Sequence, residues 1–120
     1  MSKCILVVED QKDNRQILRD LLTNAGYEMI EAENGEDAVA SAQARRPDLI
    51  LMDIQLPILD GYEATRRIKA DPDLKSIPII VVTSYALSGD EDKARLAGCD
   101  DYVAKPFSPR QLLAKIKEHV

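Results

Sequence analysis

The sequence predicts one doubly wound α/β domain, and three observations predict it. Short apolar runs alternate with helical periodicity five times along the chain. The runs at residues 4–8, 49–52 and 79–82 are unbroken, as strands covered on both faces of a parallel sheet are. The chain has 120 residues, 45% of them hydrophobic, which suits one domain with a real core. Repeated strand–helix units of this length close into a parallel sheet by right-handed crossovers, with helices on both faces.

The elements follow in order. Cys4-Ile5-Leu6-Val7-Val8 is the first strand. Ile17, Leu18, Leu21 and Leu22 recur at helical spacing, so all four are expected on the core face, with Gly26 placed to stop the helix. Asp13 and Asn14 are candidate caps near its start. Met29-Ile30-Glu31-Ala32 reads as a weaker strand. Asn34, with Asp37 three residues on, caps a helix carrying Ala38, Val39 and Ala42, and Pro47 lies past its end. Leu49-Ile50-Leu51-Met52 is a strand ending at Asp53. A loop with Pro57 leads to a helix over 61–70, closed by Asp71-Pro72.

Ile79-Ile80-Val81-Val82 is the fourth strand, ending at Thr83. A short helix with Ala94, Leu96 and Ala97 stops at Gly98, and its thin apolar face predicts a loosely held element. Tyr102-Val103-Ala104 is a brief strand. Ser108-Pro109-Arg110-Gln111 opens the last helix with a capping serine and a proline in the first turn, and Leu112, Leu113 and Ile116 form its core face. No repeat or linker interrupts residues 1–120, so the whole chain reads as one domain.

The formal net charge is −5, the wrong sign for a nucleic-acid footprint. Cys4 and Cys99 have neither CxxC spacing nor a paired histidine, so they read as small core residues in a reducing compartment. The N-terminal apolar run is too short for a signal peptide, and no window approaches a membrane span. A cytoplasmic protein without membrane contact is the expectation. His119 sits one residue from the end and is expected at the surface.

In a doubly wound sheet, ligands bind beyond the carboxyl ends of the strands. Here those ends carry Glu9-Asp10, Asp53, Thr83-Ser84 and Lys105-Pro106. Three carboxylates gathered on one rim repel one another and call for a cation. An all-oxygen set suits a hard ion, and Mg²⁺ fits best because it combines carboxylates with waters and a phosphate oxygen. Asp53 is then a nucleophile able to form an aspartyl phosphate, with Lys105 and Thr83 meeting the phosphoryl oxygens.

These residues carry a resemblance. Glu9-Asp10, the stretch from Asp48 to Pro57 with Asp60-Gly61 behind it, Thr83, and Tyr102 to Lys105-Pro106-Phe107 resemble the motifs of response-regulator receiver domains, the CheY-like family of two-component signalling. The resemblance spans essentially the whole chain and leans toward stand-alone receivers of bacterial cell-cycle and phosphorelay circuits. It implies a flavodoxin-like five-stranded sheet of order 2-1-3-4-5. It makes Asp53 the phospho-acceptor, Asp10 the direct metal ligand and Glu9 the acid that holds metal-bound water. The Gln55 backbone carbonyl becomes a further metal ligand, Thr83 and Lys105 the phosphoryl binders, and Tyr102 the aromatic switch.

The resemblance further implies a cis bond between Lys105 and Pro106. Gln55 and Tyr85 would tune the rate of phosphate loss, and the small Ser84 would leave the pocket open. Glu9 stands where the family often has aspartate, which leaves the metal role intact. The implied partners are a sensor histidine kinase or histidine phosphotransfer protein and a downstream protein target. Output would come by docking, with a monomer or a weak phosphorylation-dependent dimer, and the domain would catalyse only its own phosphorylation and dephosphorylation. Each residue also has an ordinary reading: Asp53 a strand-end acid, Glu9-Asp10 helix-start charges, Tyr102 a half-buried strand tyrosine. Two other classes fit less well. A haloacid-dehalogenase-type phosphatase needs Asp-x-Asp where this chain has Glu9-Asp10-Gln11, and a nucleotide or flavin module needs a glycine-rich loop that does not follow the first strand.

Overall fold

The computed structural model describes residues 2–83 and 90–120. Five strands, β1 (Cys4–Val8), β2 (Glu28–Ala32), β3 (Leu49–Asp53), β4 (Ile79–Thr83) and β5 (Asp101–Ala104), alternate with α1 (Lys12–Asn24), α2 (Gly35–Arg45), α3 (Gly61–Ala70), α4 (Asp90–Ala97) and α5 (Pro109–His119). All strand pairs are parallel, and the sheet order is β2-β1-β3-β4-β5. The expected order is therefore the observed one. Val8 pairs with Met52, Asp53 with Val82 and Thr83 with Ala104, so the carboxyl ends of four strands finish on one rim.

Alternation along each strand sends side chains to two separate core layers. Ile5, Val7, Leu49, Leu51, Ile80 and Val82 meet Leu18 and Leu22 of α1 and Leu112 and Ile116 of α5. Leu6, Val8, Ile50, Met52, Ile79 and Val81 meet Ala38 and Ala42 of α2, Ala64 and Ile68 of α3, and Ala94 of α4. The small residues let α2 and α4 lie close to the sheet. Among the described residues of α4, Ala94 and Ala97 are the buried ones, so that helix removes little apolar surface from water.

Two helices are capped as expected from the sequence, and a third is capped by a residue that the sequence did not single out as a cap. Asn34 accepts the Asp37 N–H at 2.8 Å and Ser108 accepts the Gln111 N–H at 3.1 Å, while Asp60 accepts the Glu63 N–H at 2.9 Å. The bond between Lys105 and Pro106 is cis, as the resemblance implies. Gly26 ends α1 with φ 92°.

Several expectations are corrected. Ile17 is 63% exposed and Leu96 86% exposed, so neither belongs to a core face. Gln11, without a side-chain cap, precedes α1 in place of the candidate caps Asp13 and Asn14. His119 is not a free surface residue: Nε2 lies 3.1 Å from Asp101 Oδ2, on the half-buried edge where Lys115 Nζ also meets Asp101 at 3.0 Å. Cys4 and Cys99 are half-buried free thiols. No helix among the described residues is long and apolar enough to cross a membrane. Ser84 and Tyr85 lie outside the described residues.

Candidate functional site

The rim gathers its groups from four distant parts of the chain. Glu9 follows β1 directly and is held at 2% exposure, with its N–H donated to the Ala32 carbonyl at 3.0 Å. Its carboxylate accepts from Lys105 Nζ at 3.0 Å, from Asn14 Nδ2 at 3.2 Å and from the Gln11 N–H at 3.2 Å. Arg15 Nη1 donates to the Glu9 carbonyl at 2.8 Å. Asn14 is thus committed to Glu9 rather than to capping α1.

Asp53 closes β3 and is 8% exposed. Its Oδ1 accepts the Ile54 N–H at 2.7 Å, and its Oδ2 accepts from Lys105 Nζ at 3.3 Å. One ammonium therefore bridges two buried carboxylates. Lys105 is aimed by its own backbone, whose N–H donates to the Thr83 carbonyl at 2.6 Å. Thr83 is 1% exposed beneath it. Asp10 completes the acidic group, with one carboxylate oxygen from each of Glu9, Asp10 and Asp53 within 4.8 Å of one another.

The electrostatics follow from burial and this sharing. Burial pushes the Asp53 carboxyl up and the neighbouring Glu9 adds to it; Lys105 and the Ile54 N–H pull back, and the balance is about 6. Burial also pushes Glu9 up, but the Gln11 N–H and Lys105 outweigh it, so Glu9 ends below its ordinary value. Asp10 is raised by burial and by Glu9. Burial works against the Lys105 charge, yet Asp53 and Glu9 outweigh it and hold the ammonium charged. Glu9 and Lys105 are thus a firm ion pair, and Asp53 is the carboxylate left under-compensated.

The other predicted residues surround this centre. Gln55 is exposed, two residues beyond Asp53. Tyr102 is half-buried against the core layer beneath α2, α3 and α4, and its N–H donates to Asp101 Oδ1 at 2.8 Å. Beside Glu9 and Lys105 opens a groove of about 700 Å³, walled by Asn14, Ile17, Leu18, Pro106 and Phe107 among others. This is where Ile17 spends its apolar side chain. Sequence reasoning missed Asn14 and Arg15 as supports of Glu9. Their placement one helical turn past the acidic pair is the signal that could have found them.

Fold and rim together define a doubly wound α/β domain that collects carboxylates and one lysine at the carboxyl edge of its sheet. Residues 5–117 match the family model of the response regulator receiver domain. The chain is 44% identical over 120 residues to the polar-differentiation response regulator DivK of Brucella anthropi, covering all of this chain and 98% of that one, and 42% identical to DivK of Brucella ovis with the same coverage. Among solved structures, the receiver domain of the sensor histidine kinase PA1611 of Pseudomonas aeruginosa, with magnesium coordinated in its active-site cleft, superposes with a TM-score of 0.93 at 40% identity, covering 99% of this chain and 98% of that one. The chemotaxis regulator CheY4 of Vibrio cholerae superposes with a TM-score of 0.93 at 28% identity over the whole of both chains. The chain belongs to the response-regulator receiver family of two-component signalling.

Proposed function

We propose that Asp53 accepts a phosphoryl group in a Mg²⁺-dependent reaction and that the modified rim changes a protein-docking face. The observation that carries this reading is a buried carboxylate at a strand end, under-compensated and bonded to a lysine that also holds Glu9. At neutral pH a carboxyl that titrates near 6 is mostly ionised and poorly solvated, which favours attack. One Asp53 oxygen forms a bond to phosphorus as the bond from phosphorus to the donor's histidine nitrogen breaks; that nitrogen keeps the electron pair and takes a proton. Lys105 follows the charge from the carboxylate to the new phosphoryl oxygens, and the Thr83 hydroxyl meets another of them.

Three clustered carboxylates with one ammonium among them leave net negative charge in an all-oxygen donor set, which fits a hard divalent cation. Asp10 and Asp53 would hold Mg²⁺ directly with the Gln55 backbone carbonyl, and Glu9 would hold its waters. Bound there, Mg²⁺ supplies Lewis-acid neutralisation of the transferring phosphoryl charge. The PA1611 receiver domain, magnesium-bound in its cleft, supports this choice of ion.

Phosphorylation adds roughly −1.5 to −2 charge at pH 7. Thr83 then moves toward the phosphoryl oxygens, and Tyr102, half-buried on the neighbouring strand, turns inward and alters the face formed by α4, β5 and α5. The donor is a histidine kinase or phosphotransfer protein that approaches over the groove beside Lys105, and the output is a downstream protein bound by the altered face. The protein works in the cytoplasm as a monomer or a weak phosphorylation-dependent dimer, and catalyses only its own phosphorylation and dephosphorylation. Incubation with acetyl phosphate, with and without Mg²⁺, followed by intact mass, tests the reading. One phosphoryl group is gained only with Mg²⁺ and is lost in Asp53→Asn. Labelling that persists in Asp53→Asn, or none in the native protein under any condition, overturns it.

A further inference from the structure

The loop that leaves Asp53 is closed by Gly61 and braced by Gly35, and this clamp bears on the carboxylate. Ile54 is held through both of its backbone polar groups. Its N–H holds Asp53 Oδ1 at 2.7 Å, and its carbonyl accepts both the Leu56 N–H at 3.0 Å and the Gly61 N–H at 2.9 Å. Gly61 begins α3 so close to this backbone that a Cβ there would collide with the Asp53 carbonyl and with the Ile54 Cα. The colliding atoms are backbone and cannot swing aside. Between these ends the chain reverses at Ile58, where the Leu59 N–H donates to the Pro57 carbonyl at 2.7 Å and Ile58 takes φ 71°. A β-branched residue rarely adopts that conformation, so the turn is held by its surroundings. One such hold is Gly35 at the start of α2, where a Cβ would collide with the Leu59 carbonyl.

We propose that Gly61 is a positioning residue for phosphoryl acceptance, acting through the Ile54 backbone to fix the Asp53 carboxylate and the Gln55 carbonyl together. This rests on Asp53 being the acceptor. Neither Gly61 nor the turn touches the reacting atoms. Gly61 does not have positive φ, so its lack of a side chain serves close approach rather than backbone freedom. Alanine is otherwise a good residue within a helix, so a local propensity effect would favour the substitution. The clamp predicts the opposite for function, because a shift of that backbone moves the nucleophile and a metal ligand at once.

The test compares the native protein with Gly61→Ala and with Pro57→Gly, an exposed change that frees the backbone entering the turn without adding bulk. In metal-free protein, amide hydrogen exchange at Ile54 is expected to quicken roughly tenfold in both variants as its bond to Asp53 loosens. With acetyl phosphate, Gly61→Ala is expected to label on the order of 100-fold more slowly and to need more Mg²⁺ for half-maximal rate, while Pro57→Gly shows smaller changes in the same directions. Far-UV circular dichroism confirms that each variant is folded; if Gly61→Ala does not fold, Pro57→Gly decides. Native-like Ile54 exchange and Mg²⁺ dependence in the folded variants overturn the proposal even where the native protein labels normally. Failure of the native protein to label overturns the acceptor reading instead.

Discussion

Arg46 ends α2 in the left-handed region, with φ 43° and ψ 67°, and donates its N–H to the Ala42 carbonyl at 2.9 Å. A residue with a Cβ is strained there, and helices usually close on glycine. Replacing Arg46 with Gly is expected to raise stability by about 1 kcal/mol, less the unfolded-chain entropy that glycine adds. Chemical denaturation at constant slope measures it, and a lower midpoint would show that the Arg46 side chain makes compensating contacts. Neither Arg46 nor Ile58 could be read as left-handed from sequence, because neither is a residue type that prefers that conformation; tertiary contacts impose it. Glu9, Asp53 and Lys105 were legible for the opposite reason. Each follows an apolar run directly, and the sheet topology alone brings such positions to one rim. Ile17 shows the limit of periodicity, since an apolar stripe on α1 reads the same whether it faces the core or walls a groove beside the site.

At the scale of elements, Lys69 near the end of α3 joins three segments. Its ammonium donates to the Lys75 carbonyl at 3.0 Å, the Ile77 carbonyl at 2.9 Å and Asp100 Oδ2 at 2.7 Å. Asp100 Oδ2 in turn accepts the Ile79 N–H at 2.8 Å, so one lysine secures the entry to β4 from both sides. With its side chain 16% exposed, the lysine exchanges little with water. Lys69→Met keeps the aliphatic stem but strands these acceptors, and a loss of about 2 kcal/mol is expected, with faster amide exchange at Ile79. A neutral result would mean that water replaces the ammonium freely. Residues 71–77 were not legible as structure, since they carry neither helical nor alternating periodicity, yet they bury Leu74 and Ile77 beneath this clip. The starts of α2 and α5 were legible because Asn34 and Ser108 bond only within the first turn that each one caps. The start of α1 was not, because its polar residue Asn14 serves Glu9, a tertiary partner that no local pattern predicts.

For the whole molecule, the rim gathers buried charge at a cost in stability. Lys105 reaches across 96 residues to Glu9 and 52 residues to Asp53, and one ammonium cannot fully compensate two buried carboxylates. The sign for each acid follows from linkage. Asp53 titrates at about 6 in the folded chain against an ordinary 3.8, so the native state holds its proton more tightly. Stability therefore falls as pH rises through the window from about 4 to 6, and the deficit is complete above it. Glu9, held below its ordinary 4.5, acts in the other direction and withdraws stability as pH falls. In metal-free protein near pH 7, Asp53→Asn is thus expected to be more stable than the native chain by about 1–2 kcal/mol, the shift being partly offset by loss of the Lys105 contact. The advantage shrinks toward pH 4, where Asp53 is protonated in the folded chain and gains its proton in the unfolded one. Mg²⁺ should stabilise the native chain in proportion to the logarithm of its concentration over its dissociation constant and leave Asp53→Asn less affected, narrowing the gap at neutral pH. Thermal unfolding of both proteins between pH 4 and 8, first in EDTA and then with millimolar Mg²⁺, reads the sign directly. If Asp53→Asn is the less stable protein in EDTA at pH 7, the Asp53 carboxylate is fully compensated by Lys105, and the under-compensated charge held to favour both metal and phosphoryl binding is absent.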